Sequence, residues 1–318
     1  MSELYRRPNY DPPPGKDSGA TPMQVLVTGI TPPVPSATHG AMTTLVGLRL
    51  DGPRHWIRFD EIPAHPLSQT APVRRYDIVS AVAEPDPADP RPESWRVHDA
   101  TLRVRHEARR WRGRAAILHR HAEWSMCDLE DSAARDPDAQ SLALIRVAEL
   151  RYLRVNRTPV AAPADRWSAA TWRRTEPDLF RPVVHDLLRR PPFTVAYRYH
   201  CHHPVCRSHV QELRDRDVVA YQRARQKYCG LPLRRALAGE FWWPLCQPGR
   251  EVAFLVGSRR DDPARFDILD TVLLRRPPSA RPGSRRPARP GSPGDVLGEG
   301  ERPHEGMQVV SPGGVRLE

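Results

Sequence analysis

A short loop past the middle of the chain concentrates the residues best suited to chemistry. Cys201, Cys206 and His209 follow one another in a Cys-x4-Cys-x2-His spacing around Pro204. Thiolate and imidazole are the ligands tetrahedral zinc prefers, and a loop this short can bring three of them to one point. A fourth ligand is needed. Cys246 lies in a Pro-bounded turn, Pro244-Leu245-Cys246-Gln247-Pro248, of the kind that presents ligands; Cys229, His200, His202 and His203 are alternatives. The set Cys201, Cys206, His209 and Cys246 is expected to hold a structural zinc, against a plainer reading of two buried thiols and a surface histidine. Catalytic zinc would want a nearby carboxylate, and Glu212 and Asp215 are only loosely placed for that.

Two further patterns could do work. In Trp56-Ile57-Arg58-Phe59 the strand period puts Ile57 and Phe59 on one face and Trp56 and Arg58 on the other. The expected layout has Ile57 and Phe59 in a core and Trp56 with Arg58 outside, where they would stack on bases and touch phosphates. Arg103, Arg105, Arg109 and Arg112 surround Trp111 in a stretch read as a basic helix, whose bland reading is a solvated face. Asp89 and Glu93 are the pair a metal-dependent nuclease or nucleotide-processing enzyme would use. They lie in a Pro-rich loop rather than on adjacent strands, so a rigid loop with an internal Arg91 ion pair is the plainer reading. There is no Gly-x-Ser-x-Gly elbow, Walker loop, Gly-x-Gly-x-x-Gly or His-Glu-x-x-His.

These residues must be positioned by strands more than helices. The chain has 318 residues and 36 prolines, and proline collects in loops, edges and tails because it breaks helix interiors. Met23–Val27, Thr43–Leu50, His55–Phe59 and Arg75–Val82 read as strands of a small barrel or sandwich. Cys127–Asp138 reads as a helix and turn, and Ser141–Val147 and Glu149–Val155 as strands opening a second β unit. Phe193–His200 alternates as a half-buried strand leading into the loop of soft ligands. Val210–Tyr228 has the clearest helical period, Leu233–Trp243 continues helical, and Glu251–Gly257 and Phe266–Leu274 are strands. Residues 1–22 read as a disordered leader and 277–318 as a disordered Arg/Pro/Gly-rich tail, with units over 23–140 and 141–276 between them.

The net charge of +11 and pI near 10.0 favour an anionic partner. Lys16 and Lys227 are the only lysines, however, and an arginine bias is what GC-rich coding produces without selection for binding. The N-terminus shows no secretory signal and no apolar run is long enough to span a membrane. The five cysteines therefore read as metal ligands or buried thiols of a cytoplasmic protein.

Several phrases in fixed order carry a resemblance. They are Thr31-Pro32-Pro33-Val34-Pro35-Ser36, Trp56-Ile57-Arg58-Phe59 before Ile62-Pro63, Tyr76-Asp77-Ile78, and Asp89 to Ser94. Ser141-Leu142, Tyr197-x-Tyr199-x-Cys201 before Cys206-x2-His209, and Phe254-x-Val256-Gly257 before Phe266-x-Ile268 complete the set. Over about residues 23 to 276 the chain resembles a group of prokaryotic proteins described as containing a dual OB domain. Where that group tends to carry a Trp-Glu pair as the helix after the knuckle begins, this chain has Arg216-Asp217. The resemblance implies two successive OB-like barrels with α additions, nucleic-acid binding by analogy of fold, and a setting in bacterial conflict or defence. The reading is a non-enzymatic nucleic-acid-binding protein, with the enzyme above and a protein–protein adaptor with an unknown partner as rivals.

Overall fold

In the computed structural model the described residues are 13–36, 40–52, 55–64, 73–98, 101–105, 117–123, 125–158, 188, 190–225, 230–274 and 315–317. The chain folds mostly as β structure with few helices. Its first unit contains β1 (Thr21–Ile30), β2 (Val34–Ser36), β3 (Gly40–Arg49), β4 (Trp56–Pro63), β5 (Ile78–Pro85), β6 (Ser94–Val97) and β7 (Arg103–Arg105). The strands run in the order β1-β3-β4-β6-β5, and β5 pairs back onto β1 to close a barrel. The β4–β6 pair is parallel and the others in the ring are antiparallel. Counted within the barrel, that is strand order 1-2-3-5-4-1, the Greek-key closure of an OB fold.

The second unit repeats the plan. Its elements are β8 (Ala122–Glu123), α1 (Met126–Arg135), β9 (Leu142–Arg146), β10 (Glu149–Arg157), β11 (Phe193–His200), β12 (His209–Glu212), α2 (Arg216–Ala224), α3 (Leu231–Phe241), β13 (Val252–Ser258) and β14 (Phe266–Leu273). β9 and β10 act as one bent strand, the first half pairing with β13 and the second with β11. β11 pairs with β12, Leu213 bridges in parallel to Ile268 of β14, and β14 returns to β13. The order is again 1-2-3-5-4-1, with α2 and α3 between the third and fourth strands. A short final strand, β15 (Val315–Leu317), adds in parallel to β10.

Three apolar clusters account for this arrangement. One fills the first barrel with Val25, Ile57, Phe59, Val79 and Trp95, and another fills the second with Val155, Tyr197, Tyr199, Phe254 and Ile268. The third is the seam between barrels, where Val46, Leu48 and Trp56 meet Leu142, Leu144, Ala253, Leu255 and Leu269. Strands at the seam are buried on both faces, whereas β5 and β11 alternate buried and half-buried residues as sheets with one wet face do. A Cβ on Gly29 would lie 2.9 Å from Leu255 Cδ2, so a larger residue at the register shift in β1 would have to displace that side chain at the seam.

The seam also holds charge. Arg58 donates to Ser141 Oγ at 3.2 Å, and Glu93 accepts the Ser141 amide at 3.0 Å. Arg91 pairs with Asp89 and Asp60 and donates to the Ser258 carbonyl at 3.1 Å. Arg75 reaches across to Asp215 at 2.8 Å and Asp270 at 2.6 Å.

Several expectations are corrected. The stretch from Ser94 to Arg120, read as a basic helix, begins with β6 and β7, which pair side by side along the edge of β5 that β1 leaves free; residues 106–116 lie outside the described residues. Val210–Tyr228 is not one helix: β12 takes its start to complete the barrel, and α2 begins at Arg216 behind the N-cap Asp215. Part of the leader is tied down, since Lys16 Nζ donates to the Arg91 carbonyl at 2.7 Å. Most of the tail lies outside the described residues, but 315–317 form β15.

Candidate metal centre and ligand face

The loop between β11 and β12 gathers its ligands because both flanking strands are locked in one sheet. Tyr199 lies opposite His209 in that pairing, which brings Cys201 at the end of β11 over the first residue of β12. Cys206 enters from the turn between them, whose backbone reaches a positive φ of 105° at Ser208. The fourth member is Cys127, in the first turn of α1, whose N-cap Ser125 Oγ accepts the Asp128 amide at 2.9 Å.

The ligand atoms of Cys127, Cys201, Cys206 and His209 all lie within 4.8 Å of one another. Cys127 and Cys201 sulfurs are 3.7 Å apart, and His209 Nε2 is 3.4 Å from both the Cys127 and Cys206 sulfurs. Tetrahedral bonds of the usual Zn–S and Zn–N lengths give edges of about 3.8 Å and 3.5 Å. The donor set therefore fits a four-coordinate metal ion. His209 Nδ1 lies 3.3 Å from Glu130 Oε2, the carboxylate contact that fixes the tautomer of a ligating histidine.

The electrostatics of the cluster favour a cation. Burial and the neighbouring Cys201 push the Cys127 thiol up. Burial opposes ionisation of Cys201, yet hydrogen bonds from His209 and from backbone amides bring it down to about 5. Burial likewise opposes charge on His209, and Cys201 and Glu130 raise it to about 10. Three thiols packed this closely ionise together only around a positive charge.

Cys246 is not in this cluster. It is exposed on the turn after α3, and the place expected for it is taken by Cys127, which α1 carries over the loop. His200, His202 and His203 stay outside as well, and Cys229 lies outside the described residues. Cys127 precedes the spacing motif by 74 residues, so only its place at a helix start marked it.

Trp56 and Arg58 point out of the first barrel, but the second barrel covers them and each is only 2% exposed. Neither is available to a base. Burial holds the Arg58 guanidinium down to about 10, against the pull of Asp60 and Glu93. Arg103 and Arg105 are exposed on β7, paired with β5 rather than near Trp56. Arg109 and Arg112 lie outside the described residues. Asp89 and Glu93 are buried and engaged by Arg91 and Ser141, leaving no open carboxylate pair.

A different face was missed. On the outer side of β10 and β11, Tyr152 lies opposite Arg198 and Asn156 opposite Thr194. The Arg154 and Arg198 guanidinium carbons are 5.9 and 5.7 Å from the Tyr152 ring centre. Arg154 Nε and Asn156 Oδ1 are shielded from solvent and have no hydrogen-bond partner. Arg198 Nε donates to Ser208 Oγ at 2.9 Å, which ties this face to the metal loop. The alternation in Arg151-Tyr152-Leu153-Arg154-Val155-Asn156 held the signal, an aromatic and a cation sharing one face of a strand.

Residues 122–287 match a family described as Domain of unknown function (DUF8757). The chain belongs to that family. The DUF8757 match covers the second barrel, and residues 21–120 match a separate Domain of unknown function (DUF8758) across the first. No curated protein matches the sequence. Among solved structures, this DUF8757 member is similar to one titled "Crystal structure of the tetrameric p202 HIN2", at 9% identity and a TM-score of 0.29, covering 83% of this chain and 96% of that one. Another, "Structure and Conformational Change of a Replication Protein A Heterotrimer Bound to ssDNA", is 8% identical with a TM-score of 0.31 over 77% of this chain and 46% of that one. Among the described residues no helix is long and apolar enough to cross a membrane.

Proposed function

We propose that this chain is a non-enzymatic nucleic-acid-binding protein that holds a single strand on the outer face of β10 and β11, with a structural zinc bracing the loop beside it. The observation that carries this reading is the face on which Arg154 and Arg198 flank Tyr152, with Arg154 Nε and Asn156 Oδ1 shielded beside them and without a hydrogen-bond partner among the described residues. Buried polar atoms without partners are rare unless a ligand supplies them. An arginine pair over an aromatic ring offers phosphate contacts and a stacking surface together. β10 and β11 are the first and second strands of their barrel, so this face borders the surface of the second and third strands on which OB folds bind ligands by analogy; in the first barrel those strands, β3 and β4, carry Val46, Leu48 and Trp56 into the seam.

Each residue then has a role. Tyr152 is 7% exposed beneath the two arginines, so its ring becomes open to a base only when Arg154 and Arg198 swing away to neutralise the phosphate backbone. Four protein ligands leave zinc no open position for substrate, so it fixes the loop that holds Ser208 against Arg198. Arg154→Ala combined with Arg198→Ala is expected to weaken binding of a single-stranded 12-mer by about 10-fold or more. The log–log salt dependence should become shallower by about 0.7 for each phosphate that the variant no longer neutralises. Fluorescence anisotropy of the full chain reads both quantities, and unchanged affinity and slope would place the ligand elsewhere.

A further inference from the structure

A second concavity lies where β10 begins, at the other end of this sheet. Its walls are Val147 and Leu150 from the β9–β10 bend, His202 from the metal loop, and Trp243 and Arg250 from the turn after α3. Its volume is about 660 Å³, within the range of small-ligand sites. The turn splits two adjacent tryptophans: Trp242 is buried and stacked on Tyr197, while Trp243 faces outward and is 42% exposed. That exposure leaves part of an apolar ring open at the groove.

The charge in the groove is positive where it is free to act. Glu251 is held by Arg146 in an ion pair, which neutralises the one acid in the lining. Arg250 Nη1 donates to the Pro244 carbonyl, which fixes the guanidinium plane, and its Nε is shielded without a partner. The groove adjoins the proposed ligand face without continuing it: a β-bulge between Leu150 and Tyr152 turns Leu150, opposite Tyr199, to the core side of β10. The two meet around the end of the sheet, where His202 follows Arg198 just past the end of β11.

We propose that this groove takes one unstacked nucleobase of the strand bound on the β10–β11 face, its ring laid on Trp243 and its phosphate on Arg250. The proposal rests on the nucleic-acid reading and adds to it a specific pocket outside the sheet face. It makes the turn after α3 a recognition element, and it places the metal loop between two parts of one bound ligand.

The test uses the full chain and a fluorescent single-stranded 12-mer of thymidine, with a 5-iodouracil version for photocrosslinking. Trp243→Ala is expected to weaken binding about 10-fold and Trp243→Phe less than threefold, because any aromatic face stacks. Arg250→Ala is expected to weaken it about fivefold, and the crosslink should map to residues 242–250. Wild-type binding with unchanged Trp243→Ala affinity and crosslinks confined to β10 and β11 would overturn the pocket and leave the face reading intact. An absence of wild-type binding would overturn both.

Discussion

Cys127→Ser is expected to abolish stoichiometric metal binding and to lower the melting temperature by about 6–20 °C, while Cys246→Ser leaves both unchanged. Cys127 supplies a quarter of the donor set and is the sole ligand from α1. With a metal ion held by the four donors, its loss would remove the link between that helix and the β11–β12 loop. A structural zinc contributes apparent folding free energy of about 10–16 kcal/mol in small zinc peptides. Here two hydrophobic barrels remain without it, so the loss is smaller, about 3–5 kcal/mol, and each kcal/mol shifts melting by about 2–4 °C at this size. Metal analysis of the purified chain and calorimetry with and without chelator check the result. Chelation of the wild type should reproduce the variant and leave the variant itself unaffected. Metal retained by Cys127→Ser and lost by Cys246→Ser would restore the ligand set expected from spacing alone.

The second large effect is at the seam. Arg58→Ala is expected to destabilise the chain by about 3–5 kcal/mol, because it removes a cation from beside the buried Glu93 carboxylate, while half-buried Asp60 keeps its ion pair with Arg91. Ser141 would also lose the donor to its Oγ. Chemical denaturation reads the change as a lower midpoint. Trp56→Phe keeps the seam filled and should alter oligonucleotide affinity less than twofold. An affinity loss as large as that of the Arg154 and Arg198 variants would return Trp56 to the binding face.

Much of the architecture was legible because local period and burial coincide. Phe193 to His200 alternates in sequence and alternates in the barrel wall, and Ile57 and Phe59 face the first core as their spacing requires. The seam was written in the sequence but is hidden from a reading of one barrel at a time. Ser141–Val147 and Glu251–Gly257 are apolar almost without interruption, the mark of strands covered on both sides. Taken seriously, those runs require another surface against the second barrel, and the outward Trp56 and Arg58 are what it finds. Outside a barrel is not outside a protein.

Partners distant in sequence were the least legible. His209, Cys201 and Cys206 are close in the chain, so spacing alone could gather them, whereas Cys127 is 74 residues from Cys201 and meets them only through the tertiary fold. The start of β12 shows another limit. Val210 to Tyr228 has a helical period, but the barrel needs a third strand to join β11 to β14, and that pairing overrides the local preference. The Tyr152 face was missed because its residues are split between two strands and its tyrosine is covered by the arginines it presents.

The measurement that bears most directly on the nucleic-acid reading is a salt series of the full wild-type chain against single-stranded DNA, single-stranded RNA and duplex of one sequence. A single strand is expected to bind more tightly than duplex, with an affinity that falls log-linearly with salt. A part of that slope should disappear in the Arg154→Ala, Arg198→Ala double variant, which leaves the arginines of the tail in place. Equal weak affinity for all three polymers, with a slope the double variant does not change, would contradict that reading: the positive charge would then reflect composition and tail rather than a face built to hold a strand.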